Sequence, residues 1–302
     1  MSFKIIVHAD DFGISRGGTE KILEGCDAKI LSSISIVPNG LAFEYAIQEF
    51  KKRPHLRLSV HLNLLEGYSI SRADEISHIV DEKGRFYHSF LGLWMKYSWS
   101  NSSGKDILKQ QVKKEMGAQI QKVIDCLGSD LAINVDSHNH YHIIPFVFEA
   151  LLELVKEFDI TYIRIPEEKY FWCLSGWRSV GRYISSNVIK HHLLNMLSRG
   201  YKKRLVQLSI SYPEYFIGVL FSGHMSGKAV SAALGSLSGD VARGGIVEIL
   251  FHPGRAGRHE LIEWTPQKRF NDYYCSPSRD QEFHELTNPA FKHLIENFTN
   301  II

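Results

Sequence analysis

The segment VDSHNHYH, residues 135–142, sets Asp136, His138, His140 and His142 at every second position. Imidazole and carboxylate are common ligands of divalent ions, and an ion with one open position can activate water. On an extended strand alternate side chains share a face, so these four are expected on one side of a strand. They cannot all reach one ion. Residues two apart on a strand lie about 6.6 Å apart, against about 2.1 Å for a Zn–N bond. One histidine of the run is expected as a ligand, or two if the strand bends, with the others lining its approach. The remaining ligands must come from other strands, and His61 and Asp11 are the natural suppliers.

The pair Asp10-Asp11 adds a second kind of chemistry. Once the backbone turns, one carboxylate can bind an ion while the other serves as general base, both kept ionised by the cation. Helix capping is the plainer reading of DDFGISRGG, since aspartate is favoured ahead of a helix. The other candidates also have plain readings. His61 suits a hydrogen-bonded core histidine, Arg164 a surface residue before a proline turn, and His252 a strand end. Glu66, Glu167 and Glu248 could join the site.

The elements that must position these groups can be read from periodicity. FKIIVHA (3–9), ILSSISIVPNG (30–40), LRLSVHLNL (56–64), LAINVDSH (131–138), TYIRIP (161–166) and GGIVEILFHPG (244–254) read as strands. Residues 18–28, 43–52 and 146–158 read as helices. The strongest helix is 106–128, where Leu108, Val112, Met116, Ile120, Val123 and Leu127 recur at steps of three and four before Gly128. Strand alternating with helix implies parallel pairing, hence a (β/α) barrel or a doubly wound sheet. Asp10-Asp11, His61, Asp136–His140 and His252 all fall at carboxy-terminal strand ends, where such sheets gather catalytic groups. Two stretches, about 66–105 and 167–204, interrupt the rhythm as lid-like insertions. They carry Trp94, Trp99, Trp172 and Trp177, expected as lid core first and as a platform for sugar rings second.

Composition narrows the function classes. With 302 residues, 44% hydrophobic content and a formal net charge of +2, the chain can bury a large core and is not a polycation. The KKR runs at 51–53 and 202–204 read as solvated surface, so nucleic acid is not expected as a partner. No stretch approaches the roughly 20 apolar residues of a membrane span, and the start does not read as a signal peptide. Four widely spaced cysteines suggest reduced thiols in a cytoplasmic protein.

Taken together, HADDFG (8–13), VHLNLLEG (60–67), DSHNHYH (136–142), IRIPEE (163–168) and LFHPG (250–254) resemble the YdjC-like carbohydrate deacetylase family. The resemblance implies a single α/β domain over 1–302, a deformed (β/α) barrel related to that of polysaccharide deacetylases. It implies one divalent ion, magnesium or zinc first, held by Asp11, His61 and His138. Asp10 would be the base, His252 the general acid, and Arg164 would orient a carboxylate. The implied reaction is removal of an N-acetyl group from a small carbohydrate; separately from the resemblance, a homodimer stands as a candidate assembly. The chain departs from the family pattern at His8, where relatives often have asparagine, and at NHYH, where many have HHVH. Two rivals stand beside this reading: another metal-dependent hydrolase on the same scaffold, and a non-catalytic carbohydrate-binding barrel.

Overall fold

The computed structural model describes residues 3–128, 131–173, 183, 185–237, 239–242, 244–265 and 267–299; Trp177 lies outside them. Each early strand is a short apolar run that a following helix carries back to the start of the next. They are β1 (Lys4–Phe12), α1 (Arg16–Asp27), β2 (Ser33–Ile36), α2 (Phe43–Lys51) and β3 (Arg57–Leu62). After the first insertion, which holds α3 (Phe90–Trp99), come α4 (Ser102–Leu127), β4 (Ile133–Ser137), α5 (Pro145–Leu154) and β5 (Ile160–Ile163). The second insertion holds α6 (Ser186–Ser198) and leads into α7 (Tyr201–Gln207). The chain then forms β6 (Tyr215–Ile217), α8 (Gly227–Ser236) and β7 (Ile246–Phe251). Three helices end it: α9 (Lys268–Tyr274), α10 (Pro277–Leu286) and α11 (Pro289–Thr299).

All strand pairs are parallel, in the order β5-β4-β3-β2-β1-β7-β6. That is the cyclic order of a seven-stranded barrel opened between β5 and β6. One bridge reaches across the opening. Ser211, just before β6, pairs with Tyr162 on β5, and Ile163 N donates to Ser211 O at 3.0 Å. The sheet is strongly curled. On a flat sheet β5 and β7, five steps apart, would be about 24 Å apart. Here Arg164, directly after β5, donates from Nε to Glu248 Oε1 on β7 at 2.7 Å. The architecture is therefore a deformed (β/α) barrel.

The helices cover the outside. On α4 the buried set Leu108, Val112, Met116, Ile120 and Val123 follows the helical period, which fixes which face meets the sheet. Two polar residues on that face are also buried and serve the loop after β3. Gln119 bonds both backbone groups of Asn63, and Glu115 accepts from Ile70 N and Ser71 N. Trp94 packs against the core. Trp172, 64% exposed, meets Tyr170 edge-on.

The run 135–142 is not a continuous strand, contrary to the period-two reading. β4 stops at Ser137, and residues 138–143 form 3-10 turns with Asn139 and His140 in the left-handed region (φ 51° and 60°). Ser137 Oγ accepts from His142 N at 2.9 Å and draws the chain out of its extended path. Asp136, His138, His140 and His142 therefore point to different partners.

Candidate active site

At the end of β1 two adjacent residues face the same site, which a regular strand forbids. The β1–β2 register slips between Ala9 and Phe12, and Asp11 adopts φ 68°. This bulge turns Asp10 and Asp11 inward together. Arg164 Nη1 donates to Asp10 Oδ2 at 2.9 Å, and Arg279 Nη1 on α10 donates to Asp11 Oδ2 at 2.9 Å. Burial works to raise both carboxyls. For Asp10 the charges of Arg164 and His61 outweigh it, and for Asp11 those of Arg279 and His138, so both are held well below the usual range. The second oxygen of each, Oδ1, is buried without a hydrogen bond among the described residues.

His61 and His138 are each set by a carboxylate of their own. His61 on β3 lies in register with Asp136 on β4, and its Nδ1 donates to Asp136 Oδ1 at 2.6 Å. That holds the ring in place and turns Nε2 toward the site, 3.9 Å from Asp11 Oδ1. His138, just past β4, has Nε2 at 3.3 Å from Glu66 Oε2 and Nδ1 at 3.3 Å from Asp11 Oδ1. Glu66 is in turn held by Thr265 Oγ1 and the Tyr274 hydroxyl, at 3.0 and 2.6 Å. Its place follows from Asn63, whose Oδ1 accepts from Leu65 N and Glu66 N and closes a turn right after β3.

Donor atoms of Asp11, His61 and His138 all lie within 4.8 Å of one another. The set of two imidazoles and one carboxylate, with an orphaned Asp11 oxygen between them, suits a divalent cation. A second group, His8, Asp10 and Asp136, is equally close. There the Arg164 guanidinium already supplies the positive charge, 2.9 Å from both Asp10 and Asp136, so we assign no ion to it.

Arg164 is fully buried and spans three carboxylates, of Asp10, Asp136 and Glu248. It is not a surface residue. His252 follows β7, with Nε2 at 3.9 Å from Asp10 Oδ2, and its backbone N–H donates to the buried Glu282 on α10 at 2.6 Å. Burial pushes its imidazole down to about 4, against the pull of Asp11 and Asp10. His8 shares a hydrogen bond with Ser35 Oγ and stands 3.4 Å from Asp10 Oδ1. His140 lines the cavity, neutral because burial holds it well below its usual value. His142 instead donates from Nε2 to Arg164 O at 2.7 Å, locking the turn after β4 onto β5.

Of the three glutamates raised from sequence, Glu66 backs His138 and Glu248 reaches the site through Arg164, while Glu167 pairs with Lys202 away from it. Arg279, Glu282 and Tyr274 were not foreseen. They sit in the carboxy-terminal helices, whose sequence has no motif to mark them. The site opens into a cavity of about 590 Å³ lined by Asp10, His61, His138 and His252, with Lys190 and Tyr273 contributed by α6 and α9. Neither Trp94 nor Trp172 lines it.

The chain is 26% identical over 297 residues to a carbohydrate deacetylase of Mus musculus, covering 96% of this chain and 89% of that one. It is 31% identical over 163 residues to carbohydrate deacetylase 1 of Listeria innocua, and 27% identical over 157 residues to a chitooligosaccharide deacetylase of Proteus mirabilis. These two alignments cover 53% and 52% of this chain and 60% and 57% of the relatives. A crystal structure from Enterococcus faecalis V583, named provisionally as a cellobiose-phosphate cleavage protein, superposes with a TM-score of 0.69. It is 20% identical, over 99% of this chain and 96% of its own, and so speaks to the fold alone. The pattern of the YdjC-like protein family matches residues 4–297, and the chain belongs to that family.

Proposed function

We propose that this chain hydrolyses the N-acetyl group of an amino sugar or short N-acetylated oligosaccharide, giving acetate and the free amine. One observation carries the reading. Asp11, His61 and His138 come within 4.8 Å of one another beside an ionised Asp10 that faces His252 across 3.9 Å. The names of the relatives point the same way.

In this reading Asp11, His61 and His138 hold one divalent cation. When bound, it supplies Lewis acidity, acidifying water and polarising the acetyl carbonyl. Two imidazoles and a carboxylate favour zinc, manganese, iron or cobalt, while magnesium prefers oxygen ligands. Asp10 takes a proton from the attacking water on Oδ1, because Arg164 engages Oδ2 and fixes the carboxylate plane. Burial keeps His252 neutral at rest. His252, whose Nε2 stands 3.9 Å from Asp10 Oδ2, takes up the proton gained by Asp10 and delivers it to the nitrogen as the C–N bond breaks. Glu282 holds the His252 backbone in place for this step.

A phosphoesterase would have use for a free guanidinium at the reacting centre, but Arg164 is taken up by three carboxylates. A carbohydrate-binding barrel without activity would have no use for the Asp10–His252 pair. The test is an acetate-release screen across N-acetylated sugars. The protein is first stripped of metal, and zinc, manganese, cobalt, iron and magnesium are then restored in turn. Acetate that depends on a restored ion supports the reading. Phosphate release from a simple ester without acetate, or tight sugar binding with neither product, overturns it.

A further inference from the structure

A second cavity, of about 290 Å³, adjoins the catalytic one, and Asn139, Ser186, Lys190, Arg269 and Phe270 line both. Its chemistry is different. One wall is a stripe of α6, where Ser186, Ile189, Lys190, Leu193 and Leu194 recur at helical spacing. The facing wall is Leu65 with Phe90 and Leu91 at the start of α3. Each insertion thus contributes one wall. The floor is preformed: Tyr141 and Leu194 are each 1% exposed, and the Tyr141 hydroxyl is spent on His88 O at 2.8 Å.

Single exposed apolar residues are ordinary on a protein surface. Leu91 and Ile189 are different, because they are 54% and 74% exposed on the same groove, which leads into the reaction centre. A hexose placed there would bury hydroxyls against aliphatic carbon without partners, which is unfavourable. Hydrogen-bonding groups, Asn139, Ser186 and Lys190 among them, sit at the junction with the catalytic cavity, where a sugar would lie.

We propose that this groove is a subsite for an apolar aglycone, an alkyl or aryl group on the glycosidic oxygen of the N-acetylated sugar. The favoured substrate is then an amphiphilic glycoside rather than a free sugar. This rests on the deacetylase reading above and narrows its substrate class.

The test compares methyl and hexyl glycosides of N-acetylglucosamine, below micelle-forming concentrations, with the metal-loaded protein. Each buried methylene is worth up to about fourfold, so kcat/KM for the hexyl glycoside is expected to exceed that for the methyl one at least about tenfold, mainly through KM. Ile189→Ser and Leu91→Ser, both at exposed positions, are each expected to reduce that hexyl-to-methyl ratio. A ratio near one in the parent protein, or one unmoved by either substitution, overturns the proposal. Calorimetric binding of the two glycosides runs in parallel. If neither glycoside yields acetate, the deacetylase reading fails, and the groove is still judged by binding. Hexyl binding at least about tenfold tighter than methyl, and weakened by Ile189→Ser, supports it; equal binding overturns it.

Discussion

His61 and His138 each turn one ring nitrogen toward Asp11 because a carboxylate, Asp136 or Glu66, holds the other. Burial works to lower His138, but the carboxylates of Asp11 and Glu66 beside it outweigh burial and raise it to about 9. At pH 7 the protonated ring therefore lies between two carboxylates, and a cation binding at Nδ1 must expel the proton held there. Metal affinity is expected to improve about tenfold per pH unit below about 9 and to level off above it. Calorimetry at pH 7 in buffers of different ionisation enthalpy should register close to one proton released; affinity flat with pH would refute this. Asp10→Asn is expected to lower kcat by ~10²–10⁴ with metal affinity nearly unchanged. A large loss of metal in that variant would instead make Asp10 a ligand. That Asp11 and His61 meet a histidine of 136–142 could be read from sequence because each ends an apolar strand, and the family resemblance pointed to His138. Asp136 misled, since its place inside β4 commits it to His61 and Arg164. Arg279 was unreadable, reaching Asp11 from 268 positions away within a charged helix.

That helix, α10, works as a bracket. Arg279 and Glu282, one turn apart and both buried, hold Asp11 and the backbone of His252. Arg279→Gln should free Asp11 to rotate and weaken metal binding about 10–100-fold, measured by competition with a chelating dye. Unchanged affinity would reduce Arg279 to a packing role. The turn carrying Glu66 has its own constraint. Gly67 sits at φ 74°, and a Cβ there would come 2.1 Å from the indole nitrogen of the buried Trp264. Gly67→Ala should cost about 2–4 kcal/mol in denaturant unfolding. The short apolar runs of β1, β3 and β7 were legible because these strands are buried on both faces, and the period of α4 because one face of it is buried. The β1 bulge and the turns after Ser137 were not. They arise from contacts between strands, and from a serine that captures its own chain five residues on.

Across the whole molecule the five early strands alternating with four helices dictated the alternating class, but the incomplete ring did not show in the sequence. β6 is only three residues long, and it is Ser211, just before it, that forms the β-bridge to β5 across the opening. The groups that would hold a cation come from β1, from β3 and from just beyond β4, so binding ties distant parts of the chain together. A cation at 100 times its Kd should add about 2.7 kcal/mol of stability. A rise of several degrees in Tm, reversed by chelator, would show it; an unmoved Tm would mean no specific ion.

Arg164 reaches from the edge of β5 to Glu248 on β7, and to Asp10 and Asp136 on the way. A half-curled or slipped sheet would strand one guanidinium and several carboxylates in the interior, at a cost of several kcal/mol. Correct strand pairing is thereby favoured by charge: a chain that mispairs its strands leaves these groups without their partners. Whoever substitutes Arg164 will perturb maturation and turnover at once, so the yield of correctly folded protein must be measured before any rate is interpreted.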